Sequence, residues 1–89
     1  GNFGIAGIFS FYPTKQITTG EGGVVITNNR NLINKVKIIK SIGLNTPPEK
    51  RKIQGLYDVT DLGLNYRLTD FQSSLGISQL KKIEINRPA

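Results

Sequence analysis

The sequence predicts an α/β chain with two strands, two helices and one long loop. Residues 5–11 (IAGIFSF) and 23–27 (GVVIT) are short apolar runs rich in β-branched and aromatic side chains, which is typical of buried strands. From Asn29 the apolar residues recur at helical spacing instead, and a second helix start follows at Thr69. Between the two helices, residues 44–61 show little periodicity and predict a long loop.

A single lysine lies on the connection between the two predicted strands. Pro13 ends the first strand because proline has no backbone N–H to donate, and Lys15 follows two residues later. Beside a buried strand, loss of water would favour the uncharged amine, which attacks aldehydes. The alternative is a lysine whose charged end extends into solvent. Without further context, the residues favour this second interpretation.

Hydroxyl groups and glycines surround this lysine, at Ser10, Thr18, Thr19, Gly20, Gly22 and Gly23. Hydroxyls and unhindered backbone amides are the groups that hydrogen-bond a phosphate dianion. The glycine patterns of a Walker loop and of a dinucleotide-binding turn are both absent from the sequence. The cluster therefore indicates either a phosphate site or a tight turn that leads into the second strand.

The first predicted helix is amphipathic and about three turns long. Its apolar face carries Leu32, Val36 and Ile39. Asn28 or Asn29 is expected to cap the first turn, because an asparagine side chain can accept a backbone N–H. Gly43 is expected to end the helix.

The second predicted helix begins with a capping box. In this motif Thr69 accepts the backbone N–H of Gln72, and the Gln72 side chain accepts the N–H of Thr69. Asp70 favours the same helix start through its negative charge, and the helix is expected to end near Asn86. Four small residues on this helix predict close packing against a neighbouring segment: Ser73, Ser74, Gly76 and Ser78.

The chain is basic, with a net charge of +6 from 12 Lys and Arg against 6 Asp and Glu. This balance suits phosphate-bearing partners, which include nucleic acids, nucleotides and phosphorylated cofactors. Five of the cations belong to the first helix and the loop after it: Lys35, Lys37, Lys40, Lys50 and Arg51. The simplest interpretation of this group is a solvated surface.

Histidine, cysteine and methionine are absent from the sequence. Disulfide and thiolate chemistry are therefore excluded, and Lys, carboxylate, Tyr and hydroxyl groups remain for catalysis. With no apolar run long enough for a membrane span and no signal peptide, we expect a cytoplasmic protein without a membrane partner. Because the sequence starts at Gly1 and contains no methionine, we expect part of a longer chain.

Two segments of the sequence resemble one enzyme family. SFYPTKQITTGEGGVVITN (residues 10–28) and LGLNYRLTDFQSSLGISQLKKI (residues 62–83) are similar to the DegT/DnrJ/StrS-type sugar aminotransferases, which use pyridoxal phosphate (PLP). The two segments occur in the family's order and, with the basic helix between them, account for nearly the whole chain. Two long matches in register are far more specific than a lone lysine.

The resemblance implies that residues 1–89 are a fragment of the large PLP-binding domain of the aspartate aminotransferase fold. In that fold, strands of a mostly parallel sheet flank the lysine, and the strand after the lysine runs antiparallel. The resemblance also implies that Lys15 is catalytic and binds PLP covalently, that Ser10 hydrogen-bonds the cofactor phosphate, and that Asn65 reaches a phosphate in the neighbouring subunit's site. The implied active unit is a homodimer with shared sites.

The implied reaction moves an amino group from an amino acid donor, usually glutamate in the family, to a nucleotide-linked keto sugar. Lys15 would serve as both tether and base, and its presence argues against the relatives that replace the lysine and act as dehydratases. The groups that pair with the pyridine nitrogen and stack on the ring are expected before Gly1, so the isolated fragment is expected to be inactive. Leu64 departs from the family, whose members often carry an aromatic residue there.

A hypothesis of another class stays open at this point. In it the chain is a basic, non-enzymatic module that binds nucleic acid or a phosphorylated ligand through the basic helix and the EKRK segment (residues 49–52). The phenylalanines lie in apolar runs rather than among the basic residues, where platforms for stacked bases would lie. The leading interpretation accordingly expects no nucleic acid partner and no metal.

Overall fold

A computed structural model of the protein describes residues 2–45, 48–56 and 58–86. Its elements are, in chain order, β1 (Ala6–Ser10), β2 (Gly23–Thr27), α1 (Arg30–Ile39), a 3₁₀ turn (Pro48–Lys50), α2 (Asp70–Lys81) and α3 (Ile83–Asn86). The chain divides into two compact units. The first unit comprises Gly1–Asn28 and Leu68–Ala89, and the second comprises Asn29–Arg67.

The strands β1 and β2 pair in an antiparallel sheet, which has two strands within the described residues. The register places Ala6 opposite Thr27 and Ser10 opposite Gly23. The antiparallel direction agrees with the expectation for the strand that follows the lysine. β2 has the predicted bounds, and β1 is one residue shorter at each end than predicted.

The prediction that both strands are buried is wrong for this chain. Ile8 is 79% exposed and Phe9 is 53% exposed, and the valines of β2 are exposed as well. A strand buries its side chains only under a second layer of structure, and among the described residues of the first unit no helix packs across β1 or β2. No apolar side chain is buried anywhere in the described part of the chain.

The helix α2 begins where the capping box predicts. Thr69 Oγ1 accepts the N–H of Gln72 at 3.2 Å, and Gln72 Oε1 accepts the N–H of Thr69 at 3.0 Å. The predicted continuous helix is interrupted at Lys82, whose φ of −102° and ψ of 3° lie outside the α-helical region. The short helix α3 then carries the chain to Asn86.

In the second unit, α1 starts at the predicted cap. Asn29 Oδ1 accepts the N–H of Leu32 at 3.1 Å. At the other end Lys40, and not Gly43, is the C-cap. Gly43 instead donates its N–H to the carbonyl of Ile38 at 3.0 Å after the chain has turned away from the helix axis.

Gly43 lies where two backbone segments approach closely. It is buried, and its φ of +79° is a conformation that residues with a side chain rarely adopt. A Cβ atom at this position would overlap the carbonyl oxygen of Asp61. The bridge between Leu44 and Val59, together with the hydrogen bond from the Thr60 N–H to the Gly43 carbonyl, closes the base of the long loop.

The predicted loop over residues 44–61 contains the 3₁₀ turn Pro48–Lys50. Three of its residues, Thr46, Pro47 and Tyr57, lie outside the described residues. Across the described ranges, none of the helices has both the length and the apolar character that a membrane span requires.

Substitution of Gly43 tests the close approach in the second unit. Gly43→Ala and Gly55→Ala each place a side chain at a φ of +79°, which costs about 1 kcal/mol or more. Only Gly43→Ala also brings a Cβ into the Asp61 carbonyl, since Gly55 has open space around it. We expect Gly43→Ala to lower the free energy of unfolding of the full-length protein by about 2 kcal/mol more than Gly55→Ala. Equal losses in a urea titration would show that the contact is absent.

Candidate active site

Lys15 lies on a short connection that we call the lysine loop, residues 11–19. Within it the Lys15 N–H donates to the carbonyl of Tyr12 at 3.0 Å and so closes a four-residue turn. Pro13 occupies the second position of this turn, where its fixed φ is favourable. Lys15 thus lies in the exposed middle part of the loop, with its side chain in solvent.

Both ends of the lysine loop meet at Phe11. Its N–H donates to the carbonyl of Gly22 at 2.9 Å, which extends the pairing of β1 and β2 by one step. Its carbonyl accepts two hydrogen bonds, from the N–H of Thr19 at 3.0 Å and from the hydroxyl of Thr18 at 2.7 Å. The loop is therefore closed at its base by backbone groups and by one threonine hydroxyl.

Thr19 is the buried residue at the base of the lysine loop. It is 4% exposed, and its hydroxyl donates to the carbonyl of Glu21 at 2.7 Å. A Cβ at Gly22 would overlap Thr19 Oγ1, so the absence of a side chain at Gly22 permits this close packing. Both Thr18 and Thr19 therefore donate their hydroxyl protons to carbonyls. For these two threonines the structure favours a tight turn over a phosphate site.

Helix α2 contacts the lysine loop through a residue that sequence reasoning missed. Gln79 Oε1 accepts the backbone N–H of Thr18 at 3.3 Å in a half-buried position. The two residues are 61 positions apart in the sequence, so no local pattern connects them. The sequence offered only a weak signal for this contact, namely a polar residue on the same predicted helix as the small residues.

The small residues of α2 behave differently from one another. Close packing is confirmed at Gly76, where a Cβ would lie 3.1 Å from the Thr19 methyl carbon. Ser74 and Ser78 are exposed. The segment that Gly76 approaches is the lysine loop itself.

Ser10 is the last residue of β1, immediately before the lysine loop. It is exposed, and its Oγ accepts the N–H of Tyr12 at 3.2 Å. Its hydroxyl proton is not donated to any group in the described residues. The structure thus brings Ser10 and Lys15 to the same end of β1, and the Ser10 hydroxyl has a proton to offer an oxyanion.

The amine of Lys15 is exposed and forms no ion pair within the described ranges. The loss of water expected for a lysine beside a buried strand is therefore not found in this chain, because the strand beside it is itself exposed. In this chain the amine is accessible to a ligand.

Asn65 belongs to the second unit. It pairs with Ser41 in an antiparallel bridge, and its neighbours Leu64 and Tyr66 donate their N–H groups to carbonyls at the C-terminal end of α1, at 2.7 and 2.8 Å. These bonds satisfy carbonyls that a helix end leaves without intrahelical partners. The backbone of Asn65 is thereby fixed, while its side chain is exposed.

The second unit also contains a half-open cavity of about 590 Å³. Its lining includes three basic residues, Lys50, Arg51 and Lys52, and one acidic residue, Asp58. Ile53 and Leu56 add an apolar part. Among the described residues, no cluster of acidic side chains suited to a metal ion is present.

The sequence model of the DegT/DnrJ/EryC1/StrS aminotransferase family matches residues 1–88 of the chain. A similar curated protein is the UDP-4-amino-4,6-dideoxy-N-acetyl-beta-L-altrosamine transaminase of Campylobacter jejuni, 48% identical over 79 residues. The match covers 89% of this chain and 20% of the relative. The chain thus spans about a fifth of the length of the curated relatives it matches.

Two solved structures show the same fold over nearly the whole chain. One is Helicobacter pylori PseC, an aminotransferase of pseudoaminic acid biosynthesis, with a TM-score of 0.81 and 42% identity over 96% of this chain and 22% of that chain. The other is a variant of GDP-4-keto-6-deoxymannose-3-dehydratase with bound GDP-perosamine, with a TM-score of 0.80 and 26% identity over 94% of this chain and 24% of that chain.

Proposed function

The chain belongs to the DegT/DnrJ/EryC1/StrS aminotransferase family, and on this premise we propose that it is part of a PLP-dependent nucleotide-sugar aminotransferase. The amino group moves from an amino acid, for which we propose glutamate, to a nucleotide-linked keto sugar. The observation that carries the proposal is the placement of the Lys15 amine, exposed on a closed loop directly after Ser10. Relatives named as nucleotide-sugar transaminases support the substrate class.

The residues at the end of β1 fit the chemistry of PLP. Lys15 offers a primary amine to the cofactor aldehyde, and Ser10 offers a hydroxyl proton to the cofactor phosphate. The Ser10 oxygen accepts the N–H of Tyr12, which leaves its hydroxyl proton available for a phosphate oxygen. We propose Lys15 as the catalytic and cofactor-binding residue and Ser10 as a ligand of the phosphate.

Each of these residues has a separate task in the proposed reaction. PLP, when bound, supplies an aldehyde that takes up the amino group and a ring that stabilises negative charge at the reacting carbon. Lys15 would hold the cofactor through its amine, and the same amine, when free, would move a proton between the α-carbon of the amino donor and C4′ of the cofactor. Ser10 keeps the phosphate fixed relative to this amine.

A dehydratase is among the structures with the same fold, so the fold alone does not determine which reaction is catalysed. The lysine favours amino-group transfer, because a tether that doubles as a base is what transfer to and from PLP requires. We also propose a homodimer with shared sites, in which Asn65 of one subunit donates to a phosphate in the other. A cytoplasmic location is part of the same proposal.

Borohydride reduction tests the role of Lys15 directly. Full-length protein incubated with PLP and reduced with borohydride should carry the cofactor on Lys15, as mapped by mass spectrometry of peptides. Lys15→Ala should lose this adduct and at least about 100-fold in turnover, the lower range of general acid–base effects.

Two variants provide the controls. Ser10→Ala should keep the adduct and lower PLP affinity by about 10-fold or more, the cost of one hydrogen bond to a charged group. Lys37→Ala removes an exposed cation on α1 and should leave the adduct, the affinity and the turnover unchanged. An unmodified Lys15 in the reduced wild-type protein contradicts the proposal.

Mixed dimers test whether Asn65 acts across the subunit interface. Lys15→Ala and Asn65→Ala homodimers should each be strongly impaired. Co-expressed chains should regain activity, because one of the two sites in a mixed dimer then combines Lys15 of one chain with Asn65 of the other. If Asn65 acts within its own subunit, every site of the mixed dimer lacks one residue and activity stays low.

The cavity of the second unit favours a second function, the binding of a small phosphorylated ligand. Its volume lies within the range of small-molecule sites, and its lining combines three cations with an apolar part. This is a narrower form of the phosphate-binding module that the basic composition suggests. A concave site of this size suits a small ligand better than a nucleic acid duplex.

Inorganic pyrophosphate serves as a probe for this second function. We expect Lys50→Gln with Lys52→Gln to weaken pyrophosphate binding by the full-length protein about tenfold in calorimetry, and added salt to weaken it further. Lys37→Gln with Lys40→Gln removes the same charge from α1 and should change the affinity little. Equal effects of the two pairs would mean that net charge alone attracts the anion.

A further inference from the structure

The lysine loop is braced by a helix that is distant in sequence. Gln79 of α2 accepts the N–H of Thr18, and the missing side chain at Gly76 leaves room for the methyl group of Thr19. Thr18 and Thr19 are the residues whose hydrogen bonds close the loop at its base. Helix α2 therefore contacts the lysine loop at the end that follows Lys15.

We propose that Gln79 is a positioning residue for amino-group transfer and acts through Thr18 on Lys15. The inference rests on the proposed function, in which Lys15 holds the cofactor and moves the proton. The Lys15 side chain is exposed and forms no ion pair within the part of the chain that the structure describes. Since no contact of its own holds the side chain, the loop backbone sets where the amine is attached and how far it reaches, and Thr18 lies three residues after Lys15.

Helix α2 is suited to serve as the fixed reference for this loop. It is 12 residues long, and its first turn is held by the capping box of Thr69 and Gln72. Gln79 lies on the turn that follows Gly76, so both contacts with the loop come from one face of the helix. A shift of this contact by about 1 Å would misplace the amine enough to slow the reaction roughly 100-fold.

The chemistry of glutamine explains why this contact positions the loop. The N–H of Thr18 is half-buried, and a buried donor without an acceptor is costly. Glutamate at position 79 keeps an acceptor oxygen at the same distance from the helix. Methionine has nearly the same length and flexibility but no comparable acceptor. The N–H of Thr18 then needs another hydrogen-bond partner, and we expect the loop backbone to move to reach one.

Two variants of the full-length protein test whether the acceptor oxygen at position 79 positions the lysine loop. Gln79→Met should lower kcat by about tenfold or more while KM for the amino donor changes less than about twofold, because the reacting amine is displaced but the substrate site is untouched. Gln79→Glu should recover most of kcat. In the cofactor-free protein, Gln79→Met should also speed hydrogen exchange of the peptide that contains Thr18, by about tenfold.

Thr69→Ala is the matched control for helix stability. It removes the N-cap of α2 and leaves the contacts of Gln79 and Gly76 in place. This variant should lower Tm about as much as Gln79→Met does. Well below Tm, its kcat and the exchange of the Thr18 peptide should match the wild type. If Thr69→Ala reproduces the loss of kcat, Gln79 contributes stability only and the positioning role is refuted.

Hydrogen exchange tests the positioning role of Gln79 independently of the proposed function. Unchanged exchange of the Thr18 peptide in Gln79→Met refutes the positioning role, whether or not the enzyme is active. A wild-type protein that takes up no PLP on Lys15 refutes the proposed function, even when Gln79→Met speeds the exchange. Faster exchange together with a selective loss of kcat supports both.

Discussion

The carbonyl oxygen of Phe11 is the point on which the lysine loop depends. A carbonyl has two lone pairs, and this one uses both, for the N–H of Thr19 and the hydroxyl of Thr18. The two bonds bring the chain back to the end of β1 and leave residues 12–16 of the loop exposed to solvent. Ser10 and Lys15 share one end of the sheet because of this closure.

Hydrogen bonds, rather than a hydrophobic core, define the local structure of each unit. Helix caps, the strand ladder and the loop closure are all present, yet Phe71 is 91% exposed and Ile8 is 79% exposed. Folded proteins draw most of their stability from apolar burial. Apolar faces left open over so much of the described chain favour the proposal that it works within a longer protein, whose remaining segments cover them.

Local signals in the sequence predicted the elements well, because caps and strand runs depend on neighbouring residues. The capping box at Thr69 and the cap at Asn29 are both found. Burial of the strands and the contact of Gln79 with Thr18 depend on segments far apart in the chain or outside it, so no local pattern reveals them. The proposed roles of Ser10, Lys15 and Asn65 come from the family resemblance, and the structure adds where these residues lie.

A crystal structure of the full-length protein grown with PLP tests the central claim most directly. The account predicts continuous electron density from Lys15 Nζ to the cofactor, with a phosphate oxygen within hydrogen-bonding distance of Ser10 Oγ. Cofactor density at another site, with the Lys15 amine alone in solvent, would contradict it.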